Sequence, residues 1–364
     1  MPEPLKNAYN KKYIATLSKE IAVWHPAFKQ QDFQRSIFNA DWPNKELKQR
    51  MQHISQTLAT FLPDNYAEAL AILKPASVNF SGFEGMFFPD FVEQYGIAHY
   101  QDSIQALEHF TQYSSSEFAV RPFIVRYKKT MMKQMLKWSR SNNYHVRRLA
   151  SEGCRPRLPW ANALPEFKKD PTEILPILER LKADDSEYVR RSVANNLNDI
   201  AKDHPAIVLE ISESWLGDNP DTDRLIKHAC RTLLKKAHPQ ALTLFGYPDP
   251  SHIHIQNVNV DKKVKFEARL GFSFTLTTQD QQRDQALGKL RIEYAIDFMK
   301  SNGKRSRKVF KISELECNAS EKSYSKSHSF EDRSTRKHYL GIHKLSILVN
   351  GVELSQKQFE LINA

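Results

Sequence analysis

Tyr144-His145-Val146-Arg147-Arg148-Leu149-Ala150-Ser151-Glu152 recurs as Glu187-Tyr188-Val189-Arg190-Arg191-Ser192-Val193-Ala194-Asn195, offset by 43 residues. A looser third copy, Leu225-Ile226-Lys227-His228-Ala229-Cys230, lies 37 residues further on. At about 100° per residue, Val189, Val193, Leu197 and Ile200 of the second copy share one stripe, which must face a core. Tyr188, Arg191, Asn195 and Asp199 share a different, polar stripe. Arg148 and Glu152 of the first copy map onto that polar stripe, and His228, Lys235 and Lys236 of the third fall near it. A period of about 40–47 residues built from helix pairs belongs to stacked helical repeats, which curve into a solenoid with one concave face.

Outward from the repeat, residues 1–247 keep the helical period. Leu47, Met51, Ile54, Leu58 and Phe61 step by three and four over residues 45–62, and Pro63 stops them. Ile104, Leu107 and Phe110 do the same over residues 101–113. Ser114, Ser115 and Ser116 are N-cap candidates for one long helix over residues 117–140, starting near Phe118 so that Pro122 falls in the first turn. Helical spacing resumes at 144–153, 171–183, 187–202, 206–216 and 221–245.

The Gly246-Tyr247-Pro248-Asp249-Pro250 cluster breaks this pattern, and beyond it the period is two. Val264, Phe266, Ala268, Leu270 and Phe272 alternate with polar residues and Gly271, as do Leu290, Ile292, Tyr294, Ile296 and Phe298 with Arg291, Glu293, Ala295 and Asp297. Asn302-Gly303 and Asn350-Gly351 each suit a type I′ hairpin turn. One wet face per strand predicts an antiparallel sandwich over residues 248–364. The expected chain is therefore a multidomain one, an all-α solenoid over 1–247 followed by an all-β sandwich.

The 364 residues hold 53 Lys plus Arg against 42 Asp plus Glu, a net charge of +11. Residues 248–364 contribute 20 cations against 14 acids, so the sandwich carries more excess charge per residue. Such a balance points to an anionic partner. No apolar run approaches the roughly 18 residues of a membrane span, and Met1-Pro2-Glu3-Pro4-Leu5-Lys6-Asn7 lacks the apolar core of a signal peptide. Cys154, Cys230 and Cys317 are far apart, which argues against a disulfide framework and for a reducing, cytoplasmic setting. His252 and His254 have no third ligand within reach by spacing, so no metal is expected.

Val146-Arg147-Arg148-Leu149-Ala150-Ser151-Glu152-Gly153-Cys154-Arg155-Pro156-Arg157-Leu158-Pro159-Trp160-Ala161 closely resembles the signature segment of the AlkC branch of DNA alkylation repair glycosylases. Ser116-Glu117-Phe118-Ala119-Val120-Arg121-Pro122-Phe123 and the run from Val189 to Asp199 resemble two further segments of that branch. The resemblance covers roughly residues 20–245 and implies a HEAT-like solenoid with, in some members, an appended immunoglobulin-like domain. It also implies hydrolysis of the N-glycosidic bond of cationic alkylated bases such as N3-methyladenine in double-stranded DNA, without metal or cofactor. Carried over residue by residue, Glu152 and Asp199 fall on the catalytic carboxylates and Glu117 on a supporting acid. Trp160 and Arg148 fall on the lesion-site aromatic and cation.

The residue types suit that chemistry. A base alkylated at a ring nitrogen is already a good leaving group, so the burden is the oxocarbenium-like sugar and the attacking water. A carboxylate stabilises the one and orients the other. A tryptophan face attracts a cationic base more than a neutral one. Arg147, Arg155, Arg157, Arg190, Arg191, Lys227, His228 and Lys235 lie along or beside the expected concave face and are candidates to bind phosphates. Lys304-Arg305-Ser306-Arg307-Lys308 follows the Asn302-Gly303 turn, and Lys304, Arg305 and Arg307 are candidates at a basic hairpin tip. The partner would be duplex DNA, held by a monomer with no membrane association. A HEAT-repeat protein scaffold and a non-catalytic damage binder are the alternatives. The first needs apolar anchors where Arg148, Glu152, Arg191, Asn195 and Asp199 stand, and the second needs no acids there.

Overall fold

The computed structural model describes residues 4–278, 286–332 and 337–363. Residues 1–3, part of the Met1–Asn7 stretch read above for an apolar run, lie outside the described residues. Among the described residues, sixteen α-helices precede eight β-strands in chain order, with the last helix ending at Leu244 and the first strand starting at Ile253. This is the helical half and β half that the change of period predicts.

Two compact units divide the chain: Met1–His204 with Trp215–Ala229, and Pro205–Ser214 with Cys230–Ala364. In the first, the helices carrying the repeat stand side by side, Tyr144–Glu152 against Glu187–Ile200, and that helix against Pro220–Ala229. Val189, Val193, Leu197 and Ile200 are buried as the stripe requires. Each such side chain contributes about 1.5–3 kcal/mol relative to an exposed one.

The arginine at the repeat's fourth position adds a polar tie. Arg147 donates to the Ser141 and Asn142 carbonyls and grips Asp184 with Nε (2.6 Å) and Nη2 (2.9 Å). Arg190, in the same place one repeat later, donates to the Asp184 and Asp185 carbonyls and pairs with Asp221 at 3.2 Å. Each arginine thus closes its own turn and reaches the acid that opens the next.

Two helical expectations are corrected. The stretch 117–140 forms two helices, Val120–Arg126 and Lys128–Trp138, because Tyr127 leaves helical geometry (φ −125°) and its hydroxyl donates to the Ile97 carbonyl at 2.8 Å. The stretch 221–245 forms three, Pro220–Ala229, Arg231–Lys235 and Pro239–Leu244, with Ala237 in the left-handed region before Pro239. A tertiary bond and a proline override an unbroken apolar period.

The second unit contains a sandwich of β1 (Ile253–Val260), β2 (Lys263–Lys265), β3 (Arg269–Thr278), β4 (Gly288–Met299), β5 (Arg305–Cys317), β6 (Glu321–Ser329), β7 (Gly341–Val349) and β8 (Val352–Ile362). The sheets are ordered β1-β3-β6 and β2-β8-β7-β4-β5, antiparallel except for β2 with β8. Leu270, Phe272, Phe274 and Leu276 of β3 meet Leu290, Ile292, Ile296 and Leu345 in one core. The alternation over 264–272 is cut into β2 and β3 by Glu267, whose φ is +66°. Asn350-Gly351 is a two-residue turn with both φ positive, as predicted. Asn302-Gly303 is not: β4 and β5 pair last at Met299 and Arg305, leaving a five-residue loop in which Gly303 but not Asn302 has positive φ.

The β7–β8 turn is fastened to chain that precedes the sandwich. Asn350 Nδ2 donates to the Pro248 and Lys289 carbonyls. A Cβ on Gly351 would lie 2.6 Å from the Ala237 Cβ. Deeper in the sandwich, Arg291 pairs with Glu293 and Glu314, all three largely buried, and His328, His338 and His343 ring Phe298 and Phe330.

Candidate active site

The Tyr144–Glu152 helix starts on Asn143, whose Oδ1 accepts from the His145 amide at 2.9 Å. It ends at Gly153, where a Cβ would come within 2.6 Å of Val120 Cγ1 and 3.0 Å of Met135 Cε. Only glycine lets the chain pass so close, and Glu152 is left as the last helical residue. Small polar groups draw the Glu187–Ile200 helix against it: the Ser151 and Ser192 hydroxyls are 2.7 Å apart, and Asn196 donates to the Ser151 carbonyl at 2.8 Å. This contact brings Glu152, 4% exposed, and Asp199, 1% exposed, to either side of one guanidinium.

That guanidinium is Arg155. Its Nη1 donates to Glu152 Oε1 at 2.6 Å and its Nε to Asp199 Oδ2 at 3.0 Å, while Lys202 Nζ holds Asp199 Oδ1 at 2.9 Å. Glu152 Oε2 is buried and has no hydrogen bond among the described residues. Arg155, read from sequence as a phosphate ligand, is corrected here: it is 6% exposed and occupied by the two acids. Helical periodicity says nothing about a residue three past a helix end.

One turn before Glu152, Arg148 reaches Glu117 Oε2 at 2.6 Å and Ser115 Oγ at 3.0 Å, with its Nη2 3.4 Å from Glu152 Oε1. Its guanidinium lies 4.5 Å from the centre of the Tyr188 ring. Burial pulls the pKa of Arg148 and Arg155 down. Glu152 acts on both in the other direction, with Glu117 on the first and Asp199 on the second, and each ends above its ordinary value. Three predicted acids and the predicted cation are therefore gathered into one buried network.

Trp160 stands apart from a core: it is 69% exposed, with φ +62°. A bulky residue in that region costs on the order of 1–3 kcal/mol and persists only when its surroundings hold it. Lys48 Nζ donates to the Trp160 carbonyl at 2.8 Å and lies 4.7 Å from the Phe118 ring centre. Phe118, Val125, Glu93 and Arg121 line the hollow beside the indole. Burial, and then Asp90, push Glu93 up to about 7. Lys48, Glu93 and Arg121 were not singled out from sequence. Only the position of Arg121 within a family-like segment hinted at any of them.

The remaining predicted cations separate into two groups. Arg147 and Arg190 are the repeat ties described above, and Arg157 is held by Asp203 through Nε (3.2 Å) and Nη2 (2.7 Å). Their charge is matched by acids. Arg191 is exposed on the polar stripe with no ion pair among the described residues, while His228 meets Asn195 at 3.2 Å and Lys227 is half-buried nearby. Lys235 is exposed in the second unit. In the sandwich, Lys304 and Arg305 are exposed at the loop, with Arg305 donating to the Ile342 carbonyl, and Arg307 is paired with Asp297 and Glu353. Of the three tip cations, Arg307 is the one already matched by acids.

Comparison with known proteins accounts for both halves. A family model described as DNA alkylation repair enzyme matches residues 93–237, and one described as the C-terminal Ig-like domain of the uncharacterised protein YhaZ matches residues 254–363. The uncharacterized protein YhaZ of Bacillus subtilis (strain 168) is 48% identical over 359 residues, covering 98% of this chain and 99% of the relative. Among solved structures, the Pseudomonas fluorescens alkylpurine DNA glycosylase AlkC, bound to DNA containing an abasic site analog, matches with a TM-score of 0.93 and 38% identity. The match covers 99% of this chain and 100% of that one.

Proposed function

The chain belongs to the AlkC branch of the DNA alkylation repair enzymes, and on that premise we propose how it works as a monofunctional DNA glycosylase in base excision repair. It hydrolyses the N-glycosidic bond of cationic alkylated bases, N3-methyladenine among them, in duplex DNA. The observation that carries this reading is the Glu152–Arg155–Asp199 bridge, built on the same short segment that carries the exposed Trp160.

In the reaction the electron pair of the C1′–N bond passes to the base and cancels its positive charge. The sugar is left as an oxocarbenium-like species, water attacks C1′, and a carboxylate takes the water proton. Glu152 Oε2, buried and without a partner among the described residues, is the acceptor assigned to the sugar or the water. Asp199 adds negative charge through the shared Arg155, and Glu117 fixes Arg148, whose Nη2 stands 3.4 Å from Glu152 Oε1. Trp160 offers a π face to the cationic base.

Arg191, Lys227, His228 and Lys235, with Lys304 and Arg305 of the sandwich, hold phosphates without reading sequence. The protein acts as a monomer in the cytoplasm. Among the described residues no helix is long and apolar enough to cross a membrane.

The test is release of methylated base from alkylated duplex by wild type, Glu152→Gln and Asp199→Asn. Loss in both variants with retained duplex binding is the expected result. Full activity in both would overturn the mechanism. Binding of the duplex by wild type without any release of base would leave a damage-binding protein.

A further inference from the structure

Arg121 is the most deeply committed cation in the helical unit that the mechanism above does not use. It is 4% exposed. Its Nη1 donates to the Gly153 carbonyl and to the Arg155 carbonyl, both at 2.9 Å. Its Nε and Nη2 both donate to the Asn162 carbonyl, at 2.9 and 2.6 Å. All four bonds end on backbone. Burial pulls its pKa down to about 10, so this charge is stabilised less well than in water. A buried guanidinium usually faces a carboxylate, which supplies the charge that carbonyls lack. What the arrangement secures must be sought in the segment it grips.

That segment, residues 153–162, contains no helix or strand. Pro156 and Pro159 have no amide hydrogen to give, and Trp160 sits in a left-handed conformation. It carries Arg155 toward the two acids near one end and Trp160 into solvent near the other. Few internal bonds join the two positions, apart from Ala161 to the Leu158 carbonyl and Leu164 to the Pro156 carbonyl.

We propose that Arg121 is a positioning residue for base excision: by tying residues 153 and 155 to residue 162, it holds Arg155 and Trp160 in register. The inference rests on the glycosylase reading and deepens it. The carboxylates that act on the sugar and the aromatic face that takes the base must address one nucleotide. Their spacing is set by this loop, and the loop by one planar fork. An ammonium at the same place keeps the charge but cannot reach three carbonyls in their fixed directions.

The experiment compares wild type, Arg121→Lys and Arg121→Met for single-turnover release of methylated base, for binding of the same duplex and for thermal unfolding. Each is repeated in a Trp160→Ala background. Both variants are expected to bind duplex within about threefold of wild type and to release base on the order of 10²-fold more slowly, the scale of an ångström of misplacement. With Trp160→Ala present, the same changes should cost much less, since the registration has already lost one end. Wild-type rates in Arg121→Lys, or equal losses in both backgrounds, would overturn the proposal. Should Arg121→Met fail to fold, Arg121→Lys and Lys48→Met decide. The second removes the other tie to Trp160 together with the ammonium over Phe118, and should slow release far more than it lowers the melting temperature; an unchanged rate in both counts against the role. No release by wild type would strike the glycosylase reading and this role together, whereas an active wild type with a fully active Arg121→Lys strikes this role alone.

Discussion

Both units bury arginine among glutamates, and the two networks serve different ends. In the sandwich, Arg291 lies between Glu293 and Glu314 with every member shielded, and none of the family-like residues is near it in sequence. In the helical unit, Arg155 is nearly as buried and Arg148 less so, but the acids they hold include Glu152, which has one oxygen without a partner among the described residues and lies in the segment that carries the exposed Trp160. A buried ion network is therefore no sign of catalysis by itself. The distinguishing feature is an acceptor with no partner among the described residues, on a segment that also carries an exposed, conformationally strained aromatic.

That contrast can be broken first at the sandwich. Arg291→Met leaves two buried acids uncompensated and should lower the unfolding free energy by about 3–5 kcal/mol, measured by denaturant melting. The rate of base release per folded molecule should stay at the wild-type value, and a parallel loss would mean the sandwich network is part of the chemistry. Glu152→Gln and Asp199→Asn should do the reverse, slowing single-turnover release by roughly 10²–10³-fold, a typical effect of removing one group that stabilises developing charge. Trp160→Ala should leave the melting temperature unchanged, because the side chain buries little. It should slow release of cationic bases by about tenfold, in line with a cation–π contact of about 1–2 kcal/mol.

Titration separates the units more gently. Burial holds Glu93 at about 7, above its ordinary value, so its protonated form is favoured in the fold. Its contribution to stability is full below about pH 4.5 and is lost as pH rises through 7. Glu93→Gln should accordingly stabilise at pH 8 more than at pH 5. Burial lowers the pKa of His343, so its contribution is present above the ordinary histidine value and is lost as pH falls below it. His343→Phe should flatten the acid side of the sandwich's stability curve, and no change there would mean another group governs it. The smallest effect belongs to the loop: replacing Lys304 and Arg305 with Ser should reduce the salt slope of duplex binding by about one to two phosphates.

Much of this was legible from patterns that repeat. The 43-residue overlay placed Val189, Val193 and Leu197 in a core, and the same wheel put Asp199 and Glu152 on one stripe. Period two announced the sandwich, and Asn350-Gly351 its last turn. What failed to show was set by single tertiary contacts. Tyr127 breaks a helix to reach Ile97, Glu267 divides a strand by one left-handed residue, and Asn302 declines the turn that its neighbour suits. Arg147 and Arg155 look alike as charges in sequence. One lies inside the period and binds the next repeat, while the other lies beyond a helix end and binds the acids. Net charge cannot tell a cation awaiting a phosphate from one already answered by a carboxylate.

The fastening of Asn350-Gly351 has a practical bearing on how the chain can be divided. A fragment cut at the change from helix to strand would begin at residue 248 and lack Ala237 and Leu242, against which Gly351 closes. It would carry a hairpin tip shaped for a surface that had been removed. The chain also passes between its two units at residues 204–205, 214–215 and 229–230, so no single cut yields both whole. Expression of the sandwich alone should start no later than residue 230. The helical unit is better disabled in place, by substitution, than excised.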